Sequence, residues 1–364
     1  MPRIHCMRVI TRDSHRSGAM RMTTTRARTV TAGYIQVPFQ VSFRDVTLRS
    51  PGPHEVLLDV LACGICGHDL EIASQLAQDA RPFGHEIAGI VREVGEHVTH
   101  VRPGDQVALE SGSFCGECDL CRNGRVDLCN KAPGFWVESA MGFSPAMVVN
   151  ARCAVPASDM DPHAAALAEP CGVAVDMVKV AEIGLTDRVL VVGAGAIGLM
   201  ALAITRRRTG GLIVAANPSP EKLEIAKRLG ADAVVNLRET SLAACGKPYG
   251  GFDRVLSTAP PKTLPDSLAA TAYGGNVTYV GFDWGPGGVI ELDTTAMHLG
   301  KKQLRASFAS PAVYLPEALH LLRSGVVPAE EIISHRFPLS RLEDALKTAR
   351  DDRAHARKIL VIPD

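Results

Sequence analysis

The sequence predicts an α/β chain in two parts, a mostly β, barrel-like unit joined to a doubly wound parallel sheet. Three observations predict it. Between Thr29 and about Val155, short alternating strands are separated by Pro, Gly and Asp turns. From Arg188 onward, strand, glycine turn and helix recur in succession. The chain has 364 residues, 46% of them hydrophobic and only 5% aromatic, with 33 glycines, which is too long for one ordinary core and suits strands buried on both faces.

Taken in order, residues 1–28 stand apart. They carry seven arginines against the single acid Asp13, a net charge of +6, so the rest of a formally neutral chain carries about −6. An Arg-rich, acid-poor leader fits a transit peptide, but internal Met20 and Met22 favour an upstream start or a disordered extension, and the segment is set aside from the fold. The strands that follow are Val56–Val60, Ile87–Val91 and Gly104–Ala108, then an Ala-rich helical stretch over Ala164–Ile183. The second part runs strand Val189–Val192, helix to Arg207, strand Leu212–Ala216, helix Pro220–Leu229 and strand Ala233–Asn236, with further strands at Arg254–Ser257 and Asn276–Val280. The tail from Ala309 holds one helix, Leu315–Arg323, and a closing strand, Lys358–Ile362, expected to fold back on the β unit. This assigns 29–168 and 309–364 to the β domain and 169–308 to the sheet domain.

Zero net charge argues against a nucleic-acid partner, which asks for a clustered basic face. The longest apolar run, Val189–Ile204, is broken by three glycines and is too short to span a bilayer, so no membrane association is expected. Ten cysteines without a secretory signal read as a reducing compartment, the cytoplasm.

Cys115, Cys118, Cys121 and Cys129 fall within fifteen residues in a C-x2-C-x2-C-x7-C pattern. Thiolates so close repel unless a cation neutralises them, so the lobe at about 112–131 is predicted to hold a structural zinc rather than two disulfides or four free thiols. In the sheet domain, the apolar strand runs into Gly193-Ala194-Gly195-Ala196-Ile197-Gly198, a tight turn and helix start suited to a dinucleotide pyrophosphate. Where an acid would grip the adenosine ribose, the chain has Asn217. That leaves NADP open, with Lys222 in reach of a 2′-phosphate, and NAD equally so.

A second set of metal donors is split among Cys66 in Gly64-Ile65-Cys66-Gly67-His68-Asp69, His85 and Glu86 in Gly84-His85-Glu86, and Glu169 in Ala168-Glu169-Pro170. One Cys, one His and one of the carboxylates leave zinc an open position with which to polarise an alcohol or carbonyl oxygen. Taken singly, each residue also fits a buried turn or core position.

These motifs, in this order, resemble the zinc-dependent medium-chain dehydrogenase/reductase superfamily of the alcohol, sorbitol and threonine dehydrogenase type, from about residue 30 to the end. The resemblance implies a GroES-like catalytic domain, a Rossmann domain binding NAD or NADP, and an active site between them. It implies two zincs per chain, a small-molecule alcohol or ketone substrate (a secondary alcohol, polyol or cyclitol-like hydroxyl), and a homodimer or homotetramer. By position, Cys66, His85, Glu86 and Glu169 match the catalytic zinc set, with Cys171 the rival of Glu169. Asp69 matches an acid that supports the site, and Glu71 stands where some relatives carry a relay histidine.

His68 replaces the usual Ser or Thr, and either relays the alcohol proton or shapes the pocket. Sorbitol-type relatives have an Arg-Tyr pair where this chain has Ser307-Phe308-Ala309-Ser310, which weakens a sugar polyol. Phe135, Trp136 and Met141 either line an apolar pocket or pack the core. Two alternatives remain at this stage: a zinc-free quinone or enoyl reductase of the same superfamily, and a non-catalytic zinc-module binding protein.

Overall fold

The computed structural model describes residues 28–364. Of the expected 1–28 extension, all but Arg28 lies outside the described residues, and Arg28 opens the first strand and pairs with Asp59.

Strands β1 (Arg28–Gln36), β2 (Gln40–Leu48) and β4 (Arg81–Pro82) form a small sheet in the order β2-β1-β4. A larger sheet centres on β3 (Glu55–Gly64), which pairs antiparallel with β5 (Glu86–Val94), β7 (Ala146–Asn150) and β16 (Lys358–Ile362). It is completed by β6 (Gln106–Leu109), β8 (Ala154–Pro156) and β15 (Ile333–Pro338). Val56, Leu58, Val60, Ile87, Val91, Val107 and Phe143 fill its interior.

The second domain is a six-stranded parallel sheet. Its order is β11 (Ala233–Asn236), β10 (Ile213–Asn217), β9 (Val189–Val192), β12 (Phe252–Ser257), β13 (Thr271–Tyr279) and β14 (Gln303–Ala306). Along β9, Val189 and Val191 face one apolar core while Leu190 and Val192 face another. Burial of both faces by crossover helices is why these strands are continuously apolar rather than alternating.

Three segments differ from the sequence reading. The Ala-rich stretch is two helices, Pro162–Ala165 and Ala168–Ala181. Pro170 has no N–H and clashes with the carbonyl four residues back, so a helix is tolerated only if it restarts just before that position. The tail also divides. Leu315–Arg323 buries Leu315, Ala318, Leu319 and Leu322 in the core shared with Ala168–Ala181, whereas β15 and β16 return to the β domain.

Finally, a helix at Leu342–Asp351 covers the β domain with Leu342, Ala345 and Leu346, an i, i+3, i+4 stripe legible in the sequence but not assigned there. Burial of its two leucines contributes roughly 3–6 kcal/mol. Among the described residues, no helix is long and apolar enough to cross a membrane.

Candidate functional site

The metal donors are positioned by the ends of the β domain's central strands. β3 ends at Gly64, and the turn that follows places Cys66 at the start of the short helix Gly67–Glu71. Cys66 Sγ accepts the His68 N–H at 3.5 Å, and the Cys66 N–H donates to Asp69 Oδ2 at 2.8 Å. Across the sheet, His85 immediately precedes β5 and Glu86 begins it, where Gly64 lies in register with Glu86. A side chain at Gly64 would collide with Glu86 Oε2, so the glycine is what lets that carboxylate lie along the strand.

Cys66, His85 and Glu86 bring one donor atom each to within 4.8 Å of one another. Three polar atoms at this point are buried and unpartnered: His85 Nδ1, Asp69 Oδ1 and Glu86 Oε2. Orphaned buried polar atoms cost free energy unless something absent from the protein atoms satisfies them. His85 Nδ1 lies 3.6 Å from Asp69 Oδ1. Burial opposes charge on His85, but the neighbouring Asp69 and Cys66 raise its pKa well above the ordinary histidine value. Burial raises the Cys66 thiol pKa, opposed by His85. A cation among these donors reverses that preference and favours the thiolate, so the set fits zinc.

The other expected members are placed as follows. Glu169, in the first turn of Ala168–Ala181, is buried, and its Oε1 accepts from Ser111 Oγ at 2.9 Å; it lies outside the group of three. Cys171 is fully buried in the apolar core with its thiol toward the Ala318 carbonyl, and it lies outside the group of three. Glu71 contacts Gln75 through Oε2 at the outer end of the short helix. His68 is half-buried and surrounded by rings, with His85, Trp136 and Phe282 at centroid distances of 5.9, 5.7 and 5.7 Å. Burial, then the charge of His85, lowers its pKa below the ordinary value. Of Phe135, Trp136 and Met141, Phe135 and Met141 are core; Trp136 faces the site, its indole N–H held by the Ser111 carbonyl at 2.8 Å.

Sequence reading missed Lys358. Only 4% exposed, it donates from Nζ to Glu86 Oε1 at 2.5 Å and to the Ile65 carbonyl at 2.9 Å. The available signal was a lysine opening the otherwise apolar strand KILVI, but its partner is 272 residues away. Burial disfavours its charge, while Glu86 raises the pKa beyond that cost. The stabilisation this represents is therefore fully present at neutral pH and is lost only as pH rises through the folded value, above the ordinary lysine range. Lys358→Met is expected to destabilise the protein by about 3–5 kcal/mol, because it strands a buried carboxylate. A urea midpoint shift at unchanged slope measures this; a change below about 1 kcal/mol would show that Glu86 has another counter-charge.

The four lobe cysteines converge as well. Sγ–Sγ separations are 3.5 Å for Cys118–Cys121, 3.9 Å for Cys115–Cys121 and 3.9 Å for Cys118–Cys129. A tetrahedron with metal–sulfur bonds of about 2.3 Å has edges of about 3.8 Å. Backbone N–H groups of Glu117 and Cys118 point at Cys115 Sγ and lower its pKa to about 6.

In the sheet domain, β9 delivers Gly193 at φ +94, a left-handed conformation that glycine adopts without strain. The helix Ala196–Thr205 starts behind Gly195, where an added side chain would meet no atom within 4 Å. The turn therefore leaves room at a helix N-terminus for a phosphate-bearing group. Asn217 ends β10, and its Oδ1 accepts the Ala194 N–H at 3.1 Å. Lys222 lies in the first turn of the helix Pro220–Arg228 and is buried.

Residues 52–159 match the family model for the alcohol dehydrogenase GroES-like domain, and residues 196–324 that for zinc-binding dehydrogenase. The sorbitol dehydrogenase of Arabidopsis thaliana is 33% identical over 83% of this chain and 87% of its own length. An alcohol dehydrogenase from E. coli CFT073, solved with NADH, superposes with a TM-score of 0.83 at 26% identity, covering 92% of this chain and 99% of that one. A Sinorhizobium meliloti 1021 structure bound to NADP gives a TM-score of 0.82 at 26% identity over 92% of this chain and 100% of that one.

Proposed function

The chain belongs to the zinc-binding dehydrogenases with an alcohol dehydrogenase GroES-like domain and is a zinc- and NAD(P)-dependent oxidoreductase of alcohols; from that premise we propose that it reversibly oxidises a secondary alcohol to a ketone at Cys66, His85 and Glu86. The observation that carries this reading is the convergence of those three donors beside buried polar atoms left without a partner.

Zinc supplies Lewis acidity toward an alcohol or carbonyl oxygen, and the nicotinamide cofactor supplies the hydride acceptor. The chain's part is to hold and orient both. Cys66, His85 and Glu86 hold the metal, with Glu169 as the fourth candidate ligand. Asp69 lies behind His85, its Oδ1 3.6 Å from Nδ1, and would orient the imidazole once the metal is held. Lys358 holds one oxygen of Glu86 and leaves the other free to meet the metal.

His68 receives the substrate hydroxyl proton, since a lowered pKa keeps it in the neutral, proton-accepting form at neutral pH. Trp136 and Phe282 pack against His68 and favour apolar substituents on the alcohol carbon. Gly193 to Gly198 seat the pyrophosphate and so place the nicotinamide.

A panel of secondary alcohols assayed with zinc-loaded and chelator-stripped enzyme tests the proposal. Oxidation that disappears on stripping and returns with zinc supports it, and full activity without metal refutes it. Gly195→Val fills the open space at the helix start without straining the backbone. It is expected to weaken cofactor binding by about tenfold or more while leaving the melting temperature unchanged, as read by fluorescence titration and calorimetry.

A further inference from the structure

We propose that this chain takes NADP in preference to NAD, the 2′-phosphate being held by Lys222, Arg238 and Arg353 beside Asn217. The proposal rests on the dehydrogenase reading of the same domain and concerns only which dinucleotide it selects.

The crevice at the carboxyl ends of β9, β10 and β11 is where the adenosine ribose of a dinucleotide lies in this architecture. A carboxylate ending β10 would accept hydrogen bonds from the ribose hydroxyls and repel a phosphate. Here that position is Asn217, and its acceptor oxygen is already engaged by the Ala194 N–H. The group left to face a ligand is the amide NH2, a donor, which matches phosphate oxygens.

The surrounding charges point the same way. Lys222 is 9% exposed, and among the described residues its Nζ has no hydrogen bond or ion pair. Burial lowers its pKa, Arg357 and Arg353 lower it further, and only Asp352 opposes them. Asp352, the one opposing charge, is engaged by His355 Nδ1 at 2.8 Å, so an anionic ligand would supply the counter-charge this buried cation is short of.

Two independent elements bring further cations to this spot. Ser219 Oγ, at the start of the Lys222 helix, lies 3.0 Å from the Ala354 carbonyl and so docks the 352–357 loop, with Arg353, onto that helix. Arg238 follows β11, whose Asn236 lies in register with Asn217, and the Leu237 N–H donates to the Asn217 carbonyl at 3.1 Å.

The acids nearby are each engaged locally. Glu221 shares the Ser219 hydroxyl at 2.7 Å, Glu239 accepts from Asn236 Nδ2 at 2.6 Å, and Asp352 contacts His355 Nδ1 at 2.8 Å. Among the described residues, Lys222, Arg238 and Arg353 have no ion-pair partner of their own. A ribose 2′-hydroxyl gains little from this arrangement, whereas a 2′-phosphate makes charge-assisted hydrogen bonds to it.

Calorimetric titration of the full-length, zinc-loaded enzyme with 2′,5′-ADP and with 5′-AMP tests the proposal without any turnover. The first nucleotide is expected to bind at least about tenfold tighter, with a preference that shrinks as salt rises. Asn217→Asp should reverse the order, and Arg353→Ala should weaken 2′,5′-ADP binding about tenfold while changing 5′-AMP little. Equal affinity, or tighter 5′-AMP, overturns the NADP assignment alone. Binding of neither nucleotide overturns the dinucleotide reading itself. Arg353 is an exposed loop residue, so its variant reads the proposal even if the Asn217 variant folds poorly.

Discussion

Cys66→Ser is expected to lower kcat/KM for alcohol oxidation by on the order of 10³-fold, since Lewis-acid stabilisation is worth several kcal/mol and each 1.4 kcal/mol is about tenfold. The serine oxygen is a poor replacement for a thiolate in a set whose other donors are one imidazole and one carboxylate half-committed to Lys358. Cofactor binding should stay within about twofold of wild type, because the glycine turn and the Asn217 crevice belong to a different domain. This split between turnover and cofactor affinity separates the metal role from a folding defect. Steady-state kinetics paired with fluorescence titration of the reduced cofactor measures both. Undiminished turnover in the variant would remove Cys66 from the chemistry.

Cys118→Ser is expected to release the second zinc and unfold the lobe locally. Structural zinc sites contribute about 10–16 kcal/mol of apparent binding energy in small peptides, and this lobe has little else to order it. Its helix Asp119–Arg122 is one turn long and buries no residue. Zinc content should fall by one ion per chain, and trypsin should cut at Arg122 or Arg125, both exposed residues of the lobe. The Cys66 centre should retain its metal. A lobe that keeps its zinc and its protease resistance would show that three cysteines and the surrounding packing suffice.

Much of this site was legible in the sequence wherever the signal was local. The four lobe cysteines and the glycine turn each owe their geometry to neighbours within a few residues, so spacing predicted their grouping, whereas His85 and Glu86 joined Cys66 through the order of the family motifs. Features that depend on chain return were hidden. Lys358 reaches Glu86 across the whole protein, Phe282 meets His68 from the other domain, and the Arg353 loop docks onto Ser219 135 residues earlier in the chain.

Cys171 is the converse case. The resemblance to relatives that use a thiolate nearby made it a candidate donor, and the helix turns it into the core toward Ala318. The break before Pro170 and the helix at Leu342–Asp351 were readable by rule, from a proline's missing N–H and from a 3.6-residue stripe.

Anomalous diffraction at the zinc edge from crystals of the active enzyme tests the central claim most directly. The account predicts two peaks per chain, one enclosed by the sulfurs of Cys115, Cys118, Cys121 and Cys129, the other bounded by Cys66, His85 and Glu86. A fully active enzyme with a peak in the lobe alone would contradict it.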